Sequence, residues 1–122
     1  MRRLTTQANQ EFFAWLDKNG YPPSEHACIP DTSELLYLED NQHWVRKELL
    51  STALGDPPRK SGEPRDPTAK RINNGISGDA RRSSYALGKR FFDLKVADGV
   101  AQIQELLKTL PRCVGAMTFY TI

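Results

Sequence analysis

Four side chains of this 122-residue chain have the chemistry for a metal site or a nucleophilic mechanism: His26, Cys28, His43 and Cys113. Only His26-Ala27-Cys28 brings two of them close in sequence, whereas a closed zinc site usually draws its ligands from two tight pairs. The chain has no C-x-x-C, H-E-x-x-H or EF-hand spacing, so no metal is expected. Neither cysteine lies in the local signature of a thiol enzyme. Gly75-Ile76-Ser77-Gly78 begins like a nucleophile elbow but lacks its second half and the preceding strand. The stretch from Gly55 to Lys60-Ser61 lacks the glycine spacing of a phosphate-binding loop. Glu39-Asp40 offers too few oxygens for a hard cation, and Asp40 reads better as a helix cap. No catalytic residue and no cofactor is assigned, and the chain reads as non-enzymatic.

Two cysteines are too few for a disulfide framework, and both read as reduced thiols. A Cys28–Cys113 bridge stays open as an alternative, since sequence does not fix the Cα separation that a disulfide requires.

The remaining chemistry is charge. Between Arg59 and Lys95 lie ten basic and four acidic side chains, a net of +6. Residues 1–58 carry five basic and nine acidic groups, a net of −4, and residues 96–122 are neutral, so the overall +2 hides two oppositely charged parts. Charge asymmetry speaks to partners rather than to fold. Arg59, Lys60, Arg65, Lys70, Arg71, Arg81, Arg82, Lys89 and Arg90 are the candidate contacts for nucleic acid, a nucleoprotein surface or an acidic protein. Phosphate contacts from such residues give binding that is salt-dependent and largely independent of base sequence. Tyr85, Phe91 and Phe92 lie among them; Phe91 falls on an apolar stripe and is expected in the core, not on a base. The alternative function is that of a small inhibitor or adaptor, of the kind phages and other mobile elements encode, acting by protein–protein contact. A third possibility is that the basic segment docks on the acidic one, within one fold or across a dimer.

The elements that must position these groups follow from periodicity. Ala8, Phe12, Trp15 and Leu16 recur at helical spacing, which predicts a helix over 6–18 with Thr5 or Thr6 as its cap and Asn19-Gly20 as its stop. Tyr21-Pro22-Pro23 forces extended chain, and 24–30 reads as loop. Asp31-Thr32-Ser33-Glu34 matches a capping box, yet Leu35-Leu36-Tyr37-Leu38 has the length of a strand. The balance falls on a strand over 35–39, because the β-prone tail from Val114 to Ile122 needs a pairing partner. A helix is expected from Asp40 or Asn41, with Val45, Leu49 and Ala53 on one face and Gly55 as the stop. Residues 56–66 hold three prolines and no aliphatic side chain, and read as an exposed loop. Asp66-Pro67 opens a short helix to Asn73. Ser77 or Asp79 caps a longer one carrying Leu87, Phe91 and Leu94, in which Gly88 marks close packing or a kink. Asp98 caps a last helix whose stripe is Val100, Ile103, Leu107 and Leu110.

The expected fold is therefore α+β, a mostly helical single domain over 1–122 with four to five helices and a small antiparallel strand pair. No apolar run approaches the roughly 18 residues that span a bilayer, and no signal-like segment opens the chain. Cytoplasmic residence without membrane contact is the default expectation. The terminal strand is a pairing edge, which makes a homodimer through Val114 to Ile122 a possible assembly.

Overall fold

A computed structural model describes residues 6–39, 41–59, 62–64 and 66–109. Within them the chain is mostly helical α+β. The elements in order are α1 (Thr6–Lys18), β1 (Ser24–His26), α2 (Ile29–Leu38), a 3₁₀ segment (Lys47–Thr52), β2 (Ser77–Gly78) and α3 (Tyr85–Thr109).

The first helix forms where its periodicity places it. Ala8, Phe12 and Leu16 are its buried residues, one every four positions, as a helix with one face on a core requires. Phe12 stacks on Phe91 with ring centroids 4.4 Å apart. Around that pair Leu16, Ile29 and Leu87 complete the core, with Trp15, Tyr21 and Leu94 packed at its margin. The first turn of α1 has a cap that sequence spacing does not reveal. The Ala8 amide donates to Asp98 Oδ2 at 3.2 Å, so a carboxylate from α3 meets the unpaired N–H groups and the positive end of the helix dipole.

Residues 35–39 correct the strand expectation, since 29–38 form a helix. Pro30 lies in the first turn, where it costs no hydrogen bond, and the Cys28 carbonyl accepts from the Thr32 amide. Ser33 is no part of a capping box: it is fully buried, and its hydroxyl accepts from the Ser84 amide at 3.1 Å. This contact lies where α2 crosses α3 at Gly88. A Cβ on Gly88 would stand 1.8 Å from the Ser33 carbonyl oxygen, so only glycine lets the two backbones approach this closely. The tail that was to pair with 35–39 lies outside the described residues, as does the homodimer expected through it.

The expected loop over 24–30 instead contains β1, which pairs antiparallel with β2 through Ser24 opposite Gly78 and His26 opposite Ser77. Residues 53–56 run beside β2, with Gly55 N bonded to Gly78 O and Ala80 N to Ala53 O. Gly55 is therefore not a helix stop. It permits this approach, since a Cβ there would lie 2.1 Å from the Ile76 carbonyl oxygen.

The helix expected from residue 40 is reduced to the 3₁₀ segment. Asn41 and His43 have positive φ, and buried Glu39 accepts the Val45 amide and pairs with Lys47. The chain after α2 is thereby drawn round its own carboxylate. The 67–73 helix is likewise absent: Asp66 Oδ1 accepts from both the amide and the hydroxyl of Thr68, which closes an Asx turn, and Asp56 holds the Ile72 amide at 2.8 Å. The two last helices are one. Ser84 caps α3 through its hydroxyl to the Leu87 amide, and Asp98 sits inside the helix. No described helix is long and apolar enough to cross a membrane.

Candidate nucleic-acid interface

The cations of the middle segment occupy several neighbourhoods. Arg59, Lys70 and Arg71 line a cleft of about 570 Å³ between β1 and the loops, together with Glu25 and Asp56. Arg71 lies 3.5 Å from Asp56 Oδ2. Glu25 accepts from the Ser77 hydroxyl and the Arg59 amide, and these bonds hold its carboxyl below the usual range. Asp56 is lowered as well, chiefly by the Ile72 amide. The cleft therefore carries both signs of charge. Lys60 and Arg65 lie outside the described residues.

Arg81 is committed to the fold. Its guanidinium grips Asp79 with Nε 3.0 Å from Oδ1 and Nη2 2.7 Å from Oδ2. The bond lowers the Asp79 pKa and raises that of Arg81. Lys89 pairs with Asp93 one turn along α3 and has its pKa raised by that carboxylate. Lys95 bonds Glu34 of α2 at 2.6 Å and lies over the Phe91 ring.

Arg82 and Arg90 differ. The Arg82 guanidinium carbon lies 3.9 Å from the centroid of Tyr21, and one of its nitrogens donates to the Gly20 carbonyl at 2.8 Å. The Arg90 carbon lies 4.3 Å from the centroid of Trp15. Among the described residues neither guanidinium forms an ion pair within 4.0 Å of a carboxylate, although the Arg82 charge helps to lower the Asp79 pKa. Trp15 and Tyr21 are themselves in contact, with centroids 5.9 Å apart, so two exposed guanidiniums rest on one continuous aromatic seam between α1 and the start of α3. A cation over a ring is held by the ring quadrupole. A guanidinium laid on a ring keeps its N–H edge available, and that edge matches phosphate or carboxylate in bidentate fashion.

Trp15 and Tyr21 were not among the sequence candidates. The available signal was positional: Trp15 stands at the edge of the α1 stripe, and Arg90 immediately precedes Phe91, which points into the core. Of the three aromatics within the basic segment, Phe91 is core, Phe92 is partly buried against Tyr37, and Tyr85 is 60% exposed with Tyr37 against its edge.

The residues considered for catalysis do not come together. His26 and His43 are exposed, while Cys28 is a buried free thiol whose pKa burial pushes up, which disfavours the reactive thiolate. Among the described residues no group of three or more histidine, cysteine or carboxylate side chains is placed to hold a metal ion. The fold and this seam define a small helical α+β protein with a cation-bearing face. No family model matches the chain, and no curated protein or solved structure is significantly similar to it.

Proposed function

We propose that this protein is a non-enzymatic binder whose basic middle segment contacts nucleic acid, free or within a nucleoprotein, with Arg82 and Arg90 as the principal phosphate contacts. The observation that carries the reading is the pair of exposed guanidiniums laid over Tyr21 and Trp15, neither of them in ion-pair contact with a described carboxylate. Pre-orientation on a ring reduces the side-chain entropy lost when a phosphate is gripped. Arg59 and Lys70 are further cations in the mixed-charge cleft, and Tyr85 offers an exposed ring on which a base can stack. Arg71, Arg81 and Lys89, already paired with carboxylates, contribute less. Fluorescence anisotropy with labelled single-stranded DNA, RNA and duplex at about 50 mM and about 200 mM salt tests this. Binding with little sequence preference that weakens steeply with salt is expected, and Arg82→Ala with Arg90→Ala lowers affinity about tenfold or more. Absence of binding at the lower salt refutes the reading.

A second reading, an inhibitor or adaptor acting by protein–protein contact, is favoured by Trp44, Leu49, Leu54 and Ile72, which are exposed on the segment between α2 and β2. Affinity capture with and without nuclease separates the two. A partner retained after nuclease, together with no affinity for purified nucleic acid, favours the second.

A further inference from the structure

The chain contains two Asn-Gly pairs, Asn19-Gly20 and Asn74-Gly75. In each, glycine supplies the least hindered backbone nitrogen that can follow an asparagine, and both pairs are exposed. Composition and exposure rank them equally; the fold separates them. Asn19-Gly20 closes α1, where the Gly20 amide donates to the Asp17 carbonyl at 3.0 Å and the Asn19 side chain donates to the Trp15 carbonyl at 2.7 Å. Arg82 holds the Gly20 carbonyl from the other side at 2.8 Å. Asn74-Gly75 lies in the bend that leads into β2. The Gly75 amide donates to no described residue, and a carbon added at Gly75 would meet nothing within 4 Å. The Asn74 carboxamide folds over its own chain, its Oδ1 accepting from the Ile76 amide at 3.2 Å in an Asx turn. Its Nδ2 donates to the Leu54 carbonyl at 2.9 Å.

We infer that Asn74 is a site of spontaneous modification, at which the Gly75 amide nitrogen closes on the side chain to form a succinimide that water opens to aspartate and isoaspartate. The Asx turn lays the carboxamide over the peptide that attacks it. The Ile76 N–H polarises its carbonyl and meets the oxygen on which negative charge develops. Solvent hydroxide takes the Gly75 amide proton, the nitrogen bonds to Cγ, the Cγ–Nδ2 bond breaks, and Nδ2 leaves as ammonia with a proton from water. Water then adds at Cγ, restoring the original chain path with an acid side chain, or at the backbone carbonyl, leaving the chain to run through the side chain. One water is consumed and one ammonia released, with no change of oxidation state. At Asn19 the same closure first requires the Gly20–Asp17 hydrogen bond to open and the end of α1 to unwind. Either product at position 74 carries a carboxylate in place of the amide that bonds Leu54. The tie between this bend and residues 53–56 is thereby lost, and the positive charge of the middle segment falls by one.

Incubation of the folded full chain at mildly alkaline pH, followed by tryptic peptide mapping in a mass spectrometer, tests this. Cleavage after Lys18 and Arg71 puts the two pairs in separate peptides, and fragmentation distinguishes Asn74 from Asn73. Deamidation at Asn74 is expected to run about tenfold or more faster than at Asn19, whose hydrogen bonds must open first. In urea, where the fold no longer separates them, the two rates are expected to converge. A protein-isoaspartate methyltransferase is expected to label the aged wild-type chain within 72–81, and Asn74→Gln removes that label. Asn74→Asp, with its fold confirmed by circular dichroism, is expected to unfold at lower urea than wild type. A folded chain in which Asn19 reacts as fast as Asn74, or in which Asn74 stays intact while the urea-unfolded chain reacts at both pairs, overturns the proposal. An Asn74→Asp urea midpoint equal to wild type overturns the consequence assigned to the Leu54 bond.

Discussion

The two halves of α3 share one helix and serve opposite ends. From Tyr85 to Lys95 the helix builds the protein: Leu87 and Phe91 fill the core, Gly88 admits α2, and Arg90 is set on the Trp15 ring. From Val96 to Thr109 the side chains of Val96, Val100, Ile103 and Leu107 are exposed, while Asp98 reaches back to cap α1. An apolar stripe and a core face are therefore separate properties of a helix. A regular period establishes that a helix has a preferred side, and only tertiary packing decides what that side meets.

The two halves differ most at their glycines. Gly88→Ala drives a methyl into the Ser33 carbonyl and is expected to abolish the cooperative thermal transition, a larger loss than any cavity in the core produces. Gly99→Ala, with nothing within 4 Å of the added carbon, is expected to raise stability by about 0.8–1 kcal/mol through helix propensity. Urea unfolding of both variants measures the contrast, and equal effects would remove it. Truncating an apolar residue in each half sharpens the point. Phe91→Ala, at a 2% exposed ring, costs about 3–5 kcal/mol; Ile103→Ala costs no more than about 0.5 kcal/mol.

Acid is expected to loosen the approach to the first half. Glu39 and Asp79 have pKa values lowered, by Lys47 with the Val45 amide and by Arg81 respectively. A carboxyl group whose folded pKa lies below its unfolded value stabilises fully above the unfolded value and loses that contribution as pH falls through the folded one. Stability is therefore flat above about pH 5 and declines as pH drops through about 4 and below. Asp79→Asn flattens part of the decline. In the second half Glu105→Gln changes stability by less than about 0.5 kcal/mol, because the Glu105–Lys108 pair is exposed and such pairs contribute little.

How much of this was legible follows the same division. Helix α1 is readable because Ala8, Phe12 and Leu16 all enter one core, so periodicity and burial coincide. The mixed, mostly helical architecture is readable for similar reasons. Residues 35–39 resemble a strand because Leu35-Leu36-Tyr37-Leu38 is apolar without a period; what the sequence does not display is the tertiary contact of α2, where buried Ser33 meets α3 at Gly88. Helix α3 was read as two because Asp98 resembles a cap and the stripe shifts beyond Lys95; neither feature records that the carboxylate serves a different helix. The basic segment was visible as composition. What composition does not carry is the partner of each cation. Arg81 and Arg82 are adjacent in sequence, yet one is clasped by Asp79 and the other lies on Tyr21.

The salt dependence of nucleic-acid affinity bears most directly on the assignment of phosphate contacts to the Arg82 and Arg90 end of α3. Plotted as log affinity against log salt, the Arg82→Ala/Arg90→Ala variant is expected to show a slope shallower than wild type by about 1.4–1.8, two contacts' worth. Lys108→Ala, at the outward end of the same helix, is expected to leave the slope unchanged. A double variant that binds with wild-type affinity and wild-type slope contradicts the assignment.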